Sequence, residues 1–416
     1  MRQNEAEPSA TASGRRPDAV LPLIIATILR EEGSTGVQTH FRQVCRYLDE
    51  GSVKTTIVTP FSWGRMATVP VFGLRHAIKL CSGSASVFWY RYWHEVFLHR
   101  ALRRTLGTVD DCVVYAQCPL AARAALRARR GTRQRVVMAV HFRISQADEW
   151  ADKKEIKRDG AVFRGIRQLE REVIPEVDSL VYVSHWARSA LAGWLSEAAT
   201  VPSHVISNFV AAPPQRPSQE PLGDLVTMGH LEPVKNHRYI LQVLAEAKRA
   251  GWLLTLDVYG EGPLRRDLLR QTISLGLKTQ VRFRGFRPDV RDFLPRYRAY
   301  VHASYSESSS LAIIEAMAAG LPIVAGNIGP ISELCDDGLE ARFWPLDNPG
   351  QAAATVIDLL GHEPARLAAA SAARRRFRKD FDAEVVGPRL LSFLLGSAAP
   401  VSEKTALYTA AGETPD

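Results

Sequence analysis

The stretch Ser304-Tyr305-Ser306-Glu307-Ser308-Ser309-Ser310-Leu311-Ala312-Ile313-Ile314-Glu315-Ala316-Met317-Ala318-Ala319-Gly320-Leu321-Pro322-Ile323-Val324-Ala325 decides the fold of this chain. It reads as a loop, a helix and a strand. The residues before it, Tyr300 to Ala303, read as the end of a buried strand. Three serines then offer hydroxyls at a helix start. Ala, Met, Leu and Glu fill a helix of about three turns. Gly320 closes that helix and Pro322 prevents its continuation, so Leu321 to Ala325 reads as a second buried strand. In an open α/β sheet, ligands gather at loops beyond the carboxyl ends of strands. Free amide hydrogens at a helix start there favour a phosphate. Glu307 in the loop and Glu315 two turns into the helix flank that start. Taken alone, the two carboxylates are equally consistent with a solvated helix carrying surface acids.

Outward from this stretch the same alternation recurs. Towards the N-terminus, Val281 to Phe283 reads as a strand followed by Gly285-Phe286-Arg287, and Trp252 to Tyr259 as a strand followed by Gly260-Glu261-Gly262-Pro263 and a helix. Leu225 to Met228 precedes Gly229-His230-Leu231-Glu232-Pro233-Val234-Lys235-Asn236 and a helix with Ile240, Leu241, Leu244 and Ala247 inward. Lys235 near that helix start is placed to counter a diphosphate, or is a surface lysine on a loop. Residues 210–222 hold four prolines, which exclude a helix and a central strand. Before them, Leu21 to Leu29, Lys54 to Thr59, Cys112 to Gln117, Arg135 to Val140, Ser179 to Ser184 and His204 to Ile206 read as strands, with helices between. Gly33 to His40, including Gly36 and Val37, forms a glycine turn into a helix, a second candidate phosphate cradle. It is not the Gly-x-Gly-x-x-Gly dinucleotide fingerprint. His141 stands at the end of its strand, where a lone histidine is either structural or a ligand contact. Strand–helix alternation on both sides of the proline-rich segment predicts an α/β protein with two parallel sheets covered on both faces.

The chain has 416 residues, 46% of them hydrophobic, and a formal charge of +9. That length accommodates two domains and the composition excludes a disordered chain. The positive balance fits nucleic acid, an anionic membrane surface or phosphorylated substrates. Five scattered cysteines, without a Cys-x-x-Cys or Cys/His cluster, suggest neither a disulfide framework nor a zinc site, and fit a reducing compartment. No apolar run reaches the roughly 18 residues that span a bilayer. Ala19 to Leu29 reads as a first buried strand and not a signal-peptide core, since it lacks a small-x-small cleavage site. Two groups in the N-terminal half combine cations with aromatics or cluster them: Val87 to His94 with Arg100, Arg103 and Arg104, and Arg123, Arg127, Arg129, Arg130, Arg133 and Arg135. They are expected to form a surface for anionic lipid or a phosphorylated acceptor. Asp380-Phe381-Asp382 reads as a helix boundary and not a metal site.

The frame of strand, Ser/Glu loop, Glu-Ala-Met-Ala-x-Gly and Pro-Ile-Val-Ala resembles the nucleotide-sugar site of retaining glycosyltransferases of family four, the sucrose-synthase and phosphatidylinositol-mannosyltransferase-like group. The Gly36-Val37-Gln38 loop, His141, the Gly229 to Lys235 segment, and Gly260 to Pro263 resemble the same family, in the right order over residues 21 to 395. The resemblance implies a GT-B fold: an acceptor-side Rossmann-like domain at 21–209, a linker at 210–222, and a nucleotide-sugar domain at 223–380. A C-terminal helix at 381–397 would return to the first domain, with flexible tails at 1–20 and 398–416. It implies hexosyl transfer from a nucleoside diphosphate sugar to a sugar or lipid-linked acceptor in the cytoplasm or at the inner face of the membrane. No cofactor, no obligate metal and no nucleic-acid partner are implied; the nucleotide-sugar is a substrate. Catalytic roles carry over to His141, Glu307 and Lys235. Donor contacts carry over to Gly36, Val37, His230, Lys235, Gly260, Gly262, Phe286, Arg287, Glu307, Ser308, Ser309, Ser310, Leu311 and Glu315, with Glu307 on sugar hydroxyls and Glu315 on the ribose. Two positions depart from the family: His230 replaces an arginine, and Ser308 replaces a glycine that allows close backbone approach. A silent binding module, an epimerase or a phosphorylase on the same fold are the other readings.

Overall fold

The computed structural model describes residues 21–33, 35–51, 53–214 and 220–396. The tails expected at 1–20 and 398–416, and the middle of the proline-rich linker, lie outside the described residues. Twelve strands among them form two parallel six-stranded sheets. The first holds β1 (Leu23–Ala26), β2 (Thr55–Val58), β3 (Cys112–Ala116), β4 (Gln134–Val140), β5 (Ser179–Tyr182) and β6 (Ser203–Val205), in the order β2-β1-β3-β4-β5-β6. The second holds β7 (Gly223–Met228), β8 (Leu256–Tyr259), β9 (Val281–Gly285), β10 (Tyr297–His302), β11 (Ile323–Gly326) and β12 (Ala341–Trp344), in the order β12-β11-β10-β7-β8-β9. The fold is the GT-B arrangement of two Rossmann-like domains.

The strands are short and apolar because both faces are covered. β1, β3 and β11 are buried throughout, as strands of a parallel sheet between helical layers must be. Separate apolar clusters lie on the two faces of each sheet. Ile24, Val114 and Met138 point to one cluster, while Leu23, Val113 and Val137 point to another. Several expected strands are shorter than their apolar runs. The run from Trp252 contributes only Leu256–Tyr259, and that from Leu21 only Leu23–Ala26. Burial extends beyond the ladder, so hydrophobicity overstates strand length. The helix after β10 spans Leu311–Ala318, about two turns and not three. Its N-cap Ser310 makes no side-chain capping bond, so the serines do not close that helix start.

The chain crosses back at its end. Asp380 ends one helix, and Asp382 caps the next, Ala383–Leu395, by accepting from the Glu384 amide at 3.3 Å. That last helix buries Val386, Leu390 and Leu394 against the first sheet, among Phe41, Val44 and Val113. Val210 pairs with Asp382 at this crossing. Arg291 donates to the Ala211 carbonyl beside it.

The second basic group of the N-terminal half is paired within the fold, with Arg127, Arg130 and Arg133 at its surface. Arg123 and Arg127 bond the buried Glu95, Arg129 bonds Asp178 at 3.0 Å, Arg133 pairs with Asp111 at 3.2 Å, and Arg130 and Arg135 donate to the Gly107 and Leu394 carbonyls. Charge alone did not reveal these partners, because the acids come from other elements.

Candidate functional site

In each sheet the strand order reverses once, and ligand crevices form where it does. In the second sheet that point lies between β7 and β10, which pair directly. The loops leaving these two strands carry Lys235 and Glu307. Ser304 Oγ and the Tyr305 amide both donate to the Val234 carbonyl, at 3.1 and 2.9 Å, tying one loop to the other. The result is an ion pair of 2.6 Å between Lys235 Nζ and Glu307 Oε1. His302, the last residue of β10, meets the same oxygen through Nε2 at 3.0 Å. Among the described residues, Oε2 receives no hydrogen bond.

Burial by itself would raise the Glu307 pKa. The Lys235 ammonium and the His302 hydrogen bond overcome it and hold the carboxyl at about 2. Glu307 is thus a fixed, ionised acceptor with one oxygen satisfied by protein and one open. Around it, Asn236 Nδ2, His237 Nδ1 and Ser309 Oγ are buried without a protein partner. Buried polar atoms are rarely left so; three of them, on the Lys235 and Glu307 loops, mark where a polar ligand would complete the site. The first amides of Leu311–Ala318 border the same loop, uncapped by a side chain. Asn236 takes a left-handed conformation, φ 51°, which asparagine tolerates.

Glu315 shares no described hydrogen bond with this cluster. It sits just over one turn into the helix, half-buried. Desolvation pushes its pKa up, against Arg291 and Arg42, the latter on the first helix of the other domain. The two carboxylates of the pattern therefore face different neighbours.

Gly260 and Gly262 carry a backbone crossing. A Cβ on Gly260 would lie 1.9 Å from the Gly229 carbonyl oxygen, and one on Gly262 2.6 Å from that of Leu231. Bonds of 3.0 Å from the Gly229 amide to Tyr259 O and from the Leu231 amide to Glu261 O close the crossing. His230 lies inside this crossing and follows Gly229, which has φ +153°. Phe286 is exposed, while Arg287 turns onto Asp289 at 2.9 Å and covers the Phe293 ring. Ser308 uses its carbonyl to accept from Ser184 Oγ of the first domain, at 2.8 Å.

On the first domain, the strand order reverses between β1 and β3. The helix Gly36–Glu50 starts there, closed by a reciprocal Thr35/Gln38 cap. Gln38 also donates to the Arg30 and Glu32 carbonyls, fixing the glycine turn. A Cβ on Gly36 would meet nothing within 4 Å, so the space before this helix is open; Val37, next to it, is half-buried against the core. His141, at the end of β4, bonds Gln117 Oε1 at 3.0 Å, and its ring lies 4.6 Å from that of His40. His40 contacts the Tyr115 hydroxyl at 3.2 Å. Burial lowers the pKa of both: His40 falls to about 4, and His141 well below its ordinary value, with His40 adding to the effect.

His302, His40 and Gln117 were missed as site residues in the sequence reading. The one available signal was position: His302 and Gln117 end strands at the two reversal points, as His141 ends the neighbouring β4.

The buried neutral histidines set a pH dependence. Burial lowers His40 from 6.5 to about 4, and His94 and His237 from 6.5 to about 3. Each contributes stability that is complete above 6.5 and lost as pH falls towards the folded value, because the unfolded chain binds the proton first. Glu149, which burial raises to about 7, and Glu170, raised by burial to about 6, act in the opposite sense; with three histidines against two carboxyls, thermal melts are expected to show a midpoint that falls moderately between about pH 6.5 and pH 4. A flat midpoint across that range would contradict it.

Comparison with known proteins places the chain in a family. Residues 35–208 match the family described as "Glycosyl transferase 4-like domain", and residues 223–362 match "Glycosyl transferases group 1". Glycogen synthase of Mycobacterium tuberculosis is 29% identical over 55% of this chain and 56% of its own length. Phosphatidyl-myo-inositol mannosyltransferase of Mycobacterium leprae is 24% identical over 82% of this chain and 89% of its own. The chain thus spans about half the length of the first of these relatives and most of the second. Among solved structures, Anabaena Alr3699/HepE in complex with UDP and glucose superposes with a TM-score of 0.66 at 16% identity, over 90% of this chain and 99% of that one. With the two family patterns following one another on two parallel six-stranded sheets, the chain belongs to the group 1 glycosyltransferases of GT-B fold.

Proposed function

We propose that the protein is a retaining hexosyltransferase that moves a sugar from a nucleoside diphosphate sugar to an acceptor hydroxyl, in polysaccharide or glycolipid assembly. The observation that carries this is the buried Lys235–Glu307–His302 cluster at the strand-order reversal, beside an uncapped helix start. Glu307 Oε2 accepts donor-sugar hydroxyls. Lys235, on the neighbouring loop, faces the diphosphate together with the amides from Ser308 to Leu311. His230 adds a hydrogen bond at the position where the resembled family pattern has an arginine. Glu315 takes the ribose. His141, neutral and backed by Gln117, faces the sugar from the other domain.

The reaction breaks the C1–O bond to the diphosphate and forms a C1–O bond to the acceptor on the same face. The acceptor proton passes to the leaving phosphate oxygen, and the electron pair of the broken bond stays on the diphosphate. Fixed donors aimed at that developing charge each contribute about 3 kcal/mol.

A thermal-shift screen of UDP-, GDP- and ADP-sugars tests this, with UDP-sugars first because a relative of this fold binds UDP and glucose. At a hundredfold excess over Kd, a true donor is expected to stabilise the protein by about 2.7 kcal/mol. Slow hydrolysis of that donor should accompany it. No protection by any of the three classes would overturn the proposal.

A peripheral membrane setting is supported by the hairpin 60–107. Its helices Arg65–Cys81 and Gly83–Leu106 expose Met66, Val69, Leu74, Leu80, Phe88 and Tyr92. Arg91 is buried on Gln146 and Lys79 pairs with Glu155, while Arg100, Arg103 and Arg104 are exposed, and the segment's one acid, Glu95, is buried. No helix among the described residues is long and apolar enough to cross a membrane. An apolar face set among cations suits the surface of an anionic bilayer. Met66→Asp with Leu80→Asp is expected to abolish flotation with phosphatidylglycerol vesicles; unchanged flotation would refute this surface.

A further inference from the structure

The helix His185–Ala192 begins at the carboxyl end of β5, in the first domain. Its first two amides are capped from the other domain. Glu333 Oε2 accepts from the His185 amide at 2.8 Å, and Oε1 accepts from the Trp186 amide at 2.6 Å. One residue earlier, Ser184 Oγ donates to the Ser308 carbonyl at 2.8 Å. Trp186 lies over Gly329, where a Cβ would come within 3.5 Å of the indole and 3.6 Å of the Glu307 carbonyl. Gly329 has φ +47°. These contacts join the two domains, as does the separate pairing of Val210 with Asp382 where the chain crosses back.

We infer that Glu333 is a positioning residue: a latch that holds the two domains closed and, through Ser184 and Ser308, sets the loop bearing Glu307. A carboxylate at a helix N-terminus bonds ionic acceptor to amide donors and opposes the helix dipole. The bond made by Ser308 falls one residue after Glu307, so closure and carboxylate placement are coupled. Both described hydrogen bonds of the Glu333 carboxylate cross between the domains, so its removal takes nothing from the fold of its own domain. Ser184 is the poorer probe, since its Oγ also caps its own helix by accepting from Ala187 at 3.0 Å.

The inference of a positioning role rests on the donor-binding reading above; that of the latch does not. In Glu333→Ala without any ligand, hydrogen exchange at the His185 and Trp186 amides should accelerate, and the radius of gyration from small-angle X-ray scattering should increase. The KM for the donor should rise about tenfold with a smaller change in kcat, because only the closed fraction binds productively. Glu333→Gln, which keeps one acceptor oxygen, should recover part of each effect. Unaltered exchange and scattering would overturn the latch, whatever the activity. An opened cleft with unaltered donor KM would overturn the positioning role.

Discussion

Lys235→Ala is expected to lower kcat by about a hundredfold or more and to destabilise the protein, whereas Glu307→Ala should lower kcat comparably and cost less stability. The asymmetry follows from burial. The Glu307 side chain is 8% exposed and that of Lys235 is 27% exposed. Without Lys235, a buried carboxylate keeps only the His302 bond, and breaking one partner of such a pair costs about 3 kcal/mol or more. Without Glu307, the ammonium can still reach water. Removing one aimed electrostatic donor costs about 10² to 10³ in kcat. The Lys235→Ala carboxyl should also lose its depressed pKa, since the ammonium is the largest influence lowering it. Its activity should then fall with acid at a higher pH than in the wild type. Steady-state kinetics with the donor found by the screen, together with melts of the two variants and of the double variant, check this. Near-normal turnover in either single variant would remove Lys235 and Glu307 from the reaction.

Gly260→Val should unfold the donor-side loops. The added Cβ would lie 1.9 Å from the Gly229 carbonyl oxygen, and φ +139° is a conformation that side-chain-bearing residues rarely adopt. The obstacle is backbone, which no rotamer change relieves. A loss of about 3 kcal/mol or more is expected, or a midpoint lower by about 6 to 12 °C. Gly36→Ala is the contrasting variant. Its Cβ meets nothing within 4 Å, at the first residue of a helix where alanine is favoured over glycine. Its melting point should hold or rise while donor affinity falls, if the open space before that helix receives the diphosphate. A stable Gly260→Val protein would show that the crossing between the β7 and β8 loops does not brace the site.

Much of the candidate site's geometry was legible because it is built from loops at strand ends, and such loops announce themselves locally. Gly320 and Pro322 stop a helix, the run Ile323 to Ala325 starts a strand, and Glu307 and Lys235 stand where loop meets helix. The Asp380-Phe381-Asp382 boundary was legible for the same reason, as a cap lies within a few residues of what it caps. Lengths were less legible. The helix after Ser310 is shorter than its alanine-rich sequence suggests, and the β8 strand shorter than its apolar run, because burial continues where hydrogen-bonded pairing has stopped.

The arginines from Arg123 to Arg135 show a different limit. In sequence they are a basic run, and a basic run suggests a partner. In the fold they pair with Glu95, Asp178, Asp111 and two carbonyls supplied by other elements, with Arg127, Arg130 and Arg133 still at the surface. The proposed bilayer surface rests on the hairpin 60–107, which exposes Met66, Val69, Leu74, Leu80, Phe88 and Tyr92.

The amino-acid order by itself determined two parallel α/β sheets and the loops that hold the candidate site, because helix stops, strand runs and glycine turns act over a few residues. Only the tertiary structure decided who meets whom. Lys235 and Glu307 are 72 residues apart, and Glu333 and His185 are 148 apart. The first pair meets because β10 inserts beside β7, and the second because the two domains close on each other. Pairing of that kind depends on strand order and domain closure, which no local pattern of side chains encodes.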